Sequence, residues 1–183
     1  AEQQHELENK EEALRLLNIG RDMLLEYEQR DSLELDTQLG LMKAATTMAV
    51  WGYSEFQQEL ADRAIKQAEA NPAYPSIVGT SATALTSVGL HELAIEYADQ
   101  AIATEATTRP WAKAWYAKGR ALYELGREDE AIEVLYTATE KDPRAEGAVL
   151  SHQVLAQIYK AQGDEAQYNL HTELGQGDIT VQE

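Results

Sequence analysis

The strongest constraint in this sequence is a spacing of 37 residues between two similar patterns of glycine and alanine. The two sets are Gly89, Ala94 and Ala101, and Gly126, Ala131 and Ala138. A period in this range is typical of solenoid proteins, in which each repeat is one supersecondary unit that stacks on its neighbours. The spacing therefore predicts an array of similar units along the chain.

Each unit reads as two helices separated by a glycine. Apolar and small residues recur at helical spacing before the glycine and again after it. Acidic residues open the second helix, as at Glu92 and at residues 128–130, where the helix dipole stabilises negative charge. Small side chains let two helices approach closely, and bulky ones fill the remaining space. These features predict an all-α fold.

The unit from Trp115 to Pro143 resembles the tetratricopeptide repeat at nearly every signature position. The matching residues are Trp115, Gly119, Leu122, Gly126, Ala131, Leu135, Ala138 and Pro143. Lys118 departs from the pattern, because leucine is usual there. The resemblance implies a right-handed solenoid of antiparallel helix hairpins, in which the first helix of each hairpin lines a concave groove.

We expect about four such units over residues 38–174, two of them close matches and two approximate. The first approximate unit has its second helix from Ser54 to about Asn71. The last has a shortened second helix from Glu165 to about Leu174. The pattern of apolar residues over residues 1–37 predicts a long helix that caps the solenoid, with a dimerisation helix as the alternative. Residues 175–183 predict a flexible C-terminal tail.

Composition excludes several classes of partner. Asp and Glu number 32 against 15 Lys and Arg, a net charge of −17. Such a chain repels phosphate backbones and anionic lipid surfaces, so nucleic acid and membrane partners are not expected. The absence of cysteine excludes disulfides and thiolate sites. We expect a soluble protein. The start at Ala1 favours export slightly, with a cytoplasmic location as the alternative.

The sequence shows no constellation typical of an enzyme. The four histidines, His5, His91, His152 and His171, form no metal-ligand pair at helical spacing. His152 and His171 could face each other across the last helix pair, where a zinc site would need a further ligand such as Glu173. We therefore expect ordinary surface histidines, no cofactor, no metal and no catalytic activity.

Charge is divided unevenly between the helices of each unit. The predicted first-helix segments, 38–51, 75–88, 112–125 and 149–162, hold five cations against one acid, Glu124. This predicts a mildly positive groove on a negative body. The resemblance implies which side chains face the groove. They are Lys43, Thr46, Thr80, Thr83, Thr86, Lys113, Tyr116, Arg120, Tyr123, Gln153, Gln157 and Lys160. Tyr116, Arg120 and Tyr123 are the strongest candidates, because Tyr and Arg dominate interface energetics.

These observations together predict a non-enzymatic scaffold for protein–protein interaction. It would bind a protein or peptide partner, with an acidic segment or a free carboxylate, in its groove and as part of a larger assembly. The alternative is a structural subunit that self-associates through the N-terminal helix or by end-to-end stacking of repeats. The repeat register also predicts a tight helix contact at Gly119 and Ala131.

Overall fold

The computed structural model describes residues 54–104 and 112–176, together with helical positions 11–12, 15–16, 18–20, 22–23 and 26. Over the two long ranges the chain forms seven helices and no strand. They are α1 (Ser54–Ala70), α2 (Pro75–Ser87), α3 (His91–Ala103), α4 (Ala112–Glu124), α5 (Glu128–Lys141), α6 (Glu146–Gln162) and α7 (Glu165–Leu174).

The helices form three consecutive hairpins, α2–α3, α4–α5 and α6–α7, with α1 packed against α2. The first helix α4 contacts both α2 and α6 directly. The second helices α3 and α5 each pack against the first helices on either side, and α7 packs against α6. Because the first helices lie closest together, they form the inner layer of the stack and the second helices form the outer layer. The predicted all-α solenoid of antiparallel hairpins is therefore confirmed.

Each hairpin turns at a glycine in the left-handed region. Gly89, Gly126 and Gly163 have φ of 81°, 75° and 77°, and successive members are 37 residues apart. After Gly126 the backbone N–H of Arg127 donates to the carbonyl of Leu122 at 2.9 Å, and the other two turns repeat this bond. This is the Schellman arrangement, which satisfies carbonyls left open at a helix end. The period thus places the same turn three times.

The core changes in composition along the stack. Between α1 and α4 it consists mostly of small side chains, such as Ala82, Ala98 and Ala117, which are fully buried. Between α4 and α6 it is built from larger residues. That larger cluster contains Leu122, Ala131, Leu135, Val154, Leu155 and Ile158. The predicted contact at Gly119 is present there, because a Cβ on Gly119 would lie 2.6 Å from Cγ of Leu135.

The predicted boundaries hold for most helices but not for α6. α6 begins at Glu146 rather than at 149, so its N-terminus carries an acid that the predicted segment left out. α7 spans Glu165–Leu174, as predicted. The predicted capping region and tail lie outside the described residues, apart from the positions given above and Gly175 and Gln176. No described helix combines the length and apolarity needed to cross a bilayer.

Candidate functional site

The inner surface of α4 presents an aromatic and basic row. Tyr116, Arg120 and Tyr123 follow at i, i+4 and i+7, which places them on one face of the helix. The guanidinium of Arg120 lies over the ring of Tyr123, 5.8 Å from its centroid. Both tyrosines pack partly against the α4–α6 core, and burial raises the pKa of Tyr116. The aromatic rings therefore hold the guanidinium in a defined place.

This row continues onto α6 through a direct bond between repeats. Arg120 Nη1 donates to Oε1 of Gln157 at 2.9 Å, and the two residues are 37 positions apart. Arg120 also forms an ion pair with Glu124, one turn further along α4. Thr83 occupies the equivalent position on α2, 37 residues before Arg120. We call Thr83, Arg120 and Gln157 the groove row, because they mark the same inner position in three successive hairpins.

The α2 end of the inner surface is small and uncharged. The hydroxyl of Thr83 donates to the carbonyl of Gly79, and those of Thr80 and Thr86 likewise donate one turn back. These three hydroxyl protons bond the helix backbone. Thr80 and Thr86 are also buried, at 3% and 9% exposure, so their side chains offer little surface to a partner. Lys43 and Thr46, also predicted for the groove, lie outside the described residues.

Lys113 is placed differently from a free groove cation. Its side chain is only 10% exposed, and Nζ donates to Oε2 of Glu146 at 2.8 Å. Glu146 is the acid brought in by the earlier start of α6. Lys113 therefore ties α4 to α6 and presents no unpaired charge to the groove. Lys118 points to the outer layer, where Nζ bonds Asp99 of α3 at 2.6 Å.

These placements reduce the positive charge available in the groove. The described first helices α2, α4 and α6 carry four cations and two acids. Lys113, Lys118 and Arg120 each have a carboxylate partner. The ammonium of Lys160 instead lies over the ring of Tyr168 on α7, 5.5 Å from its centroid. The described first helices therefore carry a smaller positive excess than the sequence count predicts, and among them Arg120 and Lys160 are the cations without a carboxylate partner on another helix.

The last hairpin contains a buried polar cluster that the sequence did not reveal as such. His152 Nδ1 lies 2.9 Å from Nδ1 of His171, and Nε2 of His171 lies 3.0 Å from the hydroxyl of Tyr136. That hydroxyl is 3.2 Å from the hydroxyl of Tyr159. His171 is 1% exposed, so the expectation of ordinary surface histidines is wrong for it. We call these four residues the histidine–tyrosine network.

Burial in the network shifts the pKa values of His152, His171 and Tyr136. Burial, reinforced by the neighbouring His171, lowers the pKa of His152 to about 4. Burial also lowers the pKa of His171. Burial, together with the hydrogen bond between Tyr136 and Tyr159, raises the pKa of Tyr136 to about 12. Within the described residues no set of three histidine or acidic side chains is arranged to hold a metal ion. Glu173 accordingly does not complete a metal site with the two histidines.

The chain is similar to known proteins in one repeat and in its fold. A sequence profile of the tetratricopeptide repeat matches residues 112–144. A crystal structure of MamA is similar at a TM-score of 0.55 and 17% identity, covering 92% of this chain and 89% of that one. MamA MSR-1 C2 is similar at a TM-score of 0.55 and 18% identity, covering 91% and 94%. No curated protein sequence matches the chain significantly. At these identities the structures show the shared fold, and the predicted resemblance to tetratricopeptide repeats is confirmed.

Proposed function

We propose that this chain, a solenoid built on tetratricopeptide-type repeats, is a non-enzymatic scaffold that binds a protein or peptide segment in its groove. Repeats of this family generally act as protein-interaction scaffolds, which supports the coarse assignment. The proposal that the partner binds in the groove rests on the face formed by Tyr116, Arg120 and Tyr123, which Gln157 continues onto α6. It combines aromatic surface, a guanidinium and an amide at adjoining positions of two repeats, which is the composition of an interface centre.

The partner that fits this face carries a carboxylate, in an acidic segment or at a chain terminus. Arg120 already holds Glu124, whose side chain is about one-third exposed. A partner carboxylate can replace Glu124 on the guanidinium, and the fork geometry of arginine then gives a bidentate contact. Gln157 and the more distant Lys160 extend the polar contacts along α6. Lys43, Thr46, Thr83, Lys113, Tyr116 and Tyr123 complete the proposed groove set, with Lys113 in a supporting role through Glu146.

The test compares two charge reversals on the same helix. Arg120→Glu alters the groove, whereas Lys118→Glu makes the same charge change against Asp99 on the outer side. The probe is a library of peptides with free C-terminal carboxylates, followed by anisotropy titration of the selected peptides and their amidated forms. We expect Arg120→Glu to weaken binding at least tenfold and Lys118→Glu to leave it nearly unchanged. Equal affinities for both variants and wild type would refute the groove assignment.

A second candidate function, self-association, is favoured by one observation on the N-terminal helix. Leu16, Ile19 and Met23 follow at i, i+3 and i+7 and are 54%, 43% and 57% exposed. Such a stripe of large apolar side chains on one helix face is the pattern of a helix–helix interface. Sedimentation over a hundredfold concentration range measures the mass. A monomer throughout would exclude this candidate, and dissociation by Ile19→Glu would support it.

A further inference from the structure

The histidine–tyrosine network joins three helices of the last hairpin region. Tyr136 comes from α5, His152 and Tyr159 from α6, and His171 from α7. The ring of His171 stacks on Tyr159, with centroids 5.5 Å apart, and on His152, with centroids 5.1 Å apart. It meets Tyr136 edge-on. His171 is also the one residue of α7 that is buried. The docking of α7 therefore depends heavily on this single side chain.

Two patterns of hydrogen-bond direction run without interruption from one end of the network to the other. In one, Tyr159 donates to Tyr136, Tyr136 donates to Nε2 of His171, and Nδ1–H of His171 donates to His152. In the other, every bond is reversed, so that His152 donates through Nδ1 and Tyr136 donates to Tyr159. Each solution leaves both imidazoles neutral, with one Nδ1 proton shared between the two rings.

The same geometry limits how many protons the docked pair can take. A single added proton is compatible with the second solution, because His152 can carry it on Nε2 while Nδ1 donates to His171. A second proton would give both Nδ1 atoms a hydrogen across a separation of 2.9 Å, which breaks the bond and places two positive charges side by side. The docked pair therefore holds at most one proton, whereas two solvated histidines hold two below their usual pKa of about 6.5.

We propose that the histidine–tyrosine network is a proton-operated latch, which holds α7 against α5 and α6 at neutral pH and releases it on acidification. Release takes up at least one proton at pH values below the ordinary pKa of histidine. The equilibrium constant for release then rises about tenfold for each pH unit of acidification for every proton taken up. Burial of the rings acts in the same direction, because it disfavours even the singly protonated docked state.

The surrounding groups do not supply a charge that would hold a protonated pair in place. Within the described ranges, the titratable groups in contact with the histidines are Tyr136 from α5 and Tyr159 from α6, and neither brings a carboxylate to the pair. Asp164, at the turn into α7, acts on Tyr136 through its charge, and its side chain caps α7 by accepting from the N–H of Gln167. It does not contribute to the lowered pKa of either histidine.

Two further contacts of α7 would break when the histidine–tyrosine network releases this helix. Gln153 Nε2 donates to the carbonyl of Gly175 at 3.0 Å, and the Lys160 ammonium lies over Tyr168. Both contacts join α6 to the α7 segment and neither contains a histidine. Both contacts are therefore lost when α7 is released. Release of α7 frees these two side chains on α6.

The experiment measures amide hydrogen exchange in α7 and in α4 between pH 7.5 and 4.5, with each rate divided by the intrinsic rate at that pH. We expect protection of residues 165–174 to fall at least tenfold per pH unit below about 6, while protection of α4 stays constant. His91→Gln, on α3, is the control and should behave as wild type. The double variant His152→Gln with His171→Gln should show no such pH dependence in α7.

A second measurement does not depend on whether the double variant folds. The ring proton shifts of His152 and His171 in the wild-type chain report their titration directly. We expect that the two rings do not both become protonated while the α7 amides remain protected. Ordinary titration of both histidines near pH 6.5 with α7 still protected would overturn the proposal, as would parallel loss of protection in α4 and α7.

Discussion

Replacing Gly147 by alanine is the most direct perturbation of the contact between successive hairpins. Gly147 lies in the first turn of α6, against the start of α4. A Cβ at this position would lie 2.5 Å from the carbonyl carbon of Ala112 and 2.5 Å from the backbone nitrogen of Lys113. Ordinary contacts of this kind need about 3.5 Å, so the two helix ends must separate by about 1 Å. Backbone atoms cannot move aside by changing rotamer.

The magnitude follows from three terms. Overpacking of this severity destabilises by roughly 1–3 kcal/mol. Separation of the helix ends by about 1 Å also stretches the 2.8 Å bond from Lys113 to Glu146 beyond hydrogen-bond distance, leaving a nearly buried ammonium poorly paired. The higher helix propensity of alanine recovers at most about 1 kcal/mol. We expect a net loss of about 2 kcal/mol in the free energy of unfolding.

Thermal and urea unfolding of the whole chain measure this loss. For a chain of this size about 2 kcal/mol corresponds to a decrease in Tm of roughly 4–8 °C. Gly119→Ala is the matched comparison, because its Cβ would strike a side chain, Cγ of Leu135 at 2.6 Å. Truncation by Leu135→Ala should make Gly119→Ala nearly harmless, whereas Lys113→Ala should not relieve Gly147→Ala. A Tm for Gly147→Ala at or above wild type would refute the backbone contact.

Three further predictions concern single interactions. Glu146→Gln should lower the urea midpoint by the equivalent of about 1 kcal/mol, because it leaves the Lys113 ammonium with a neutral partner, and an unchanged midpoint would show that the pair contributes nothing. Gly126→Ala should destabilise by about 1–2 kcal/mol in thermal unfolding because φ is 75° there, and stabilisation would contradict the left-handed turn. Because the pKa of Tyr136 is raised to about 12, Tyr136→Phe should remove the tyrosine ionisation step at the highest pH from an absorbance titration at 295 nm. Persistence of that step would assign it to another tyrosine.

The turns and the inner helix layer could be predicted because they repeat. The three turn glycines recur every 37 residues, and the positions before each turn carry the same mixture of small and large residues. The close approach at Gly119 follows from the same register, since a residue without a side chain is placed where Leu135 packs. Periodicity thus determines the backbone path, and the backbone path determines which residues share the inner face.

The Lys113–Glu146 pair could not be predicted from the period. A shift of 37 residues from Ala112 places the start of α6 at 149, whereas the helix begins at Glu146, soon after Pro143. The extra turn carries the acid that neutralises Lys113. The acid at the start of a helix was the available signal, because negative charge is favoured there. The sequence count of groove charge was too high for this reason.

The sequence allowed His152 and His171 to face each other across the last helix pair, as they do. The burial of His171 and its bond to Tyr136 could not be predicted, for a different reason. The four members of the histidine–tyrosine network come from three helices, and none of their separations matches the repeat. The repeat equivalents of His152 and His171 are Trp115 and Val134, so neither histidine belongs to the shared pattern. Packing of the terminal hairpin against α5 brings them together. Pairwise geometry of this kind exists in the tertiary structure and has no local sequence signature.

At the groove row the residue type varies from one repeat to the next. Thr83, Arg120 and Gln157 occupy the same inner position in three hairpins, yet one is a small hydroxyl, one a cation and one an amide. The turn position, by contrast, is glycine in all three, because φ is positive in each. Backbone conformation determines the turn residue, since an added Cβ would meet nothing within 4 Å at any of the three glycines. It does not determine the side chain on the inner face. The chemistry of that face is therefore available to select a partner, and this is why Arg120 rather than Lys113 is the residue on which the proposed function depends.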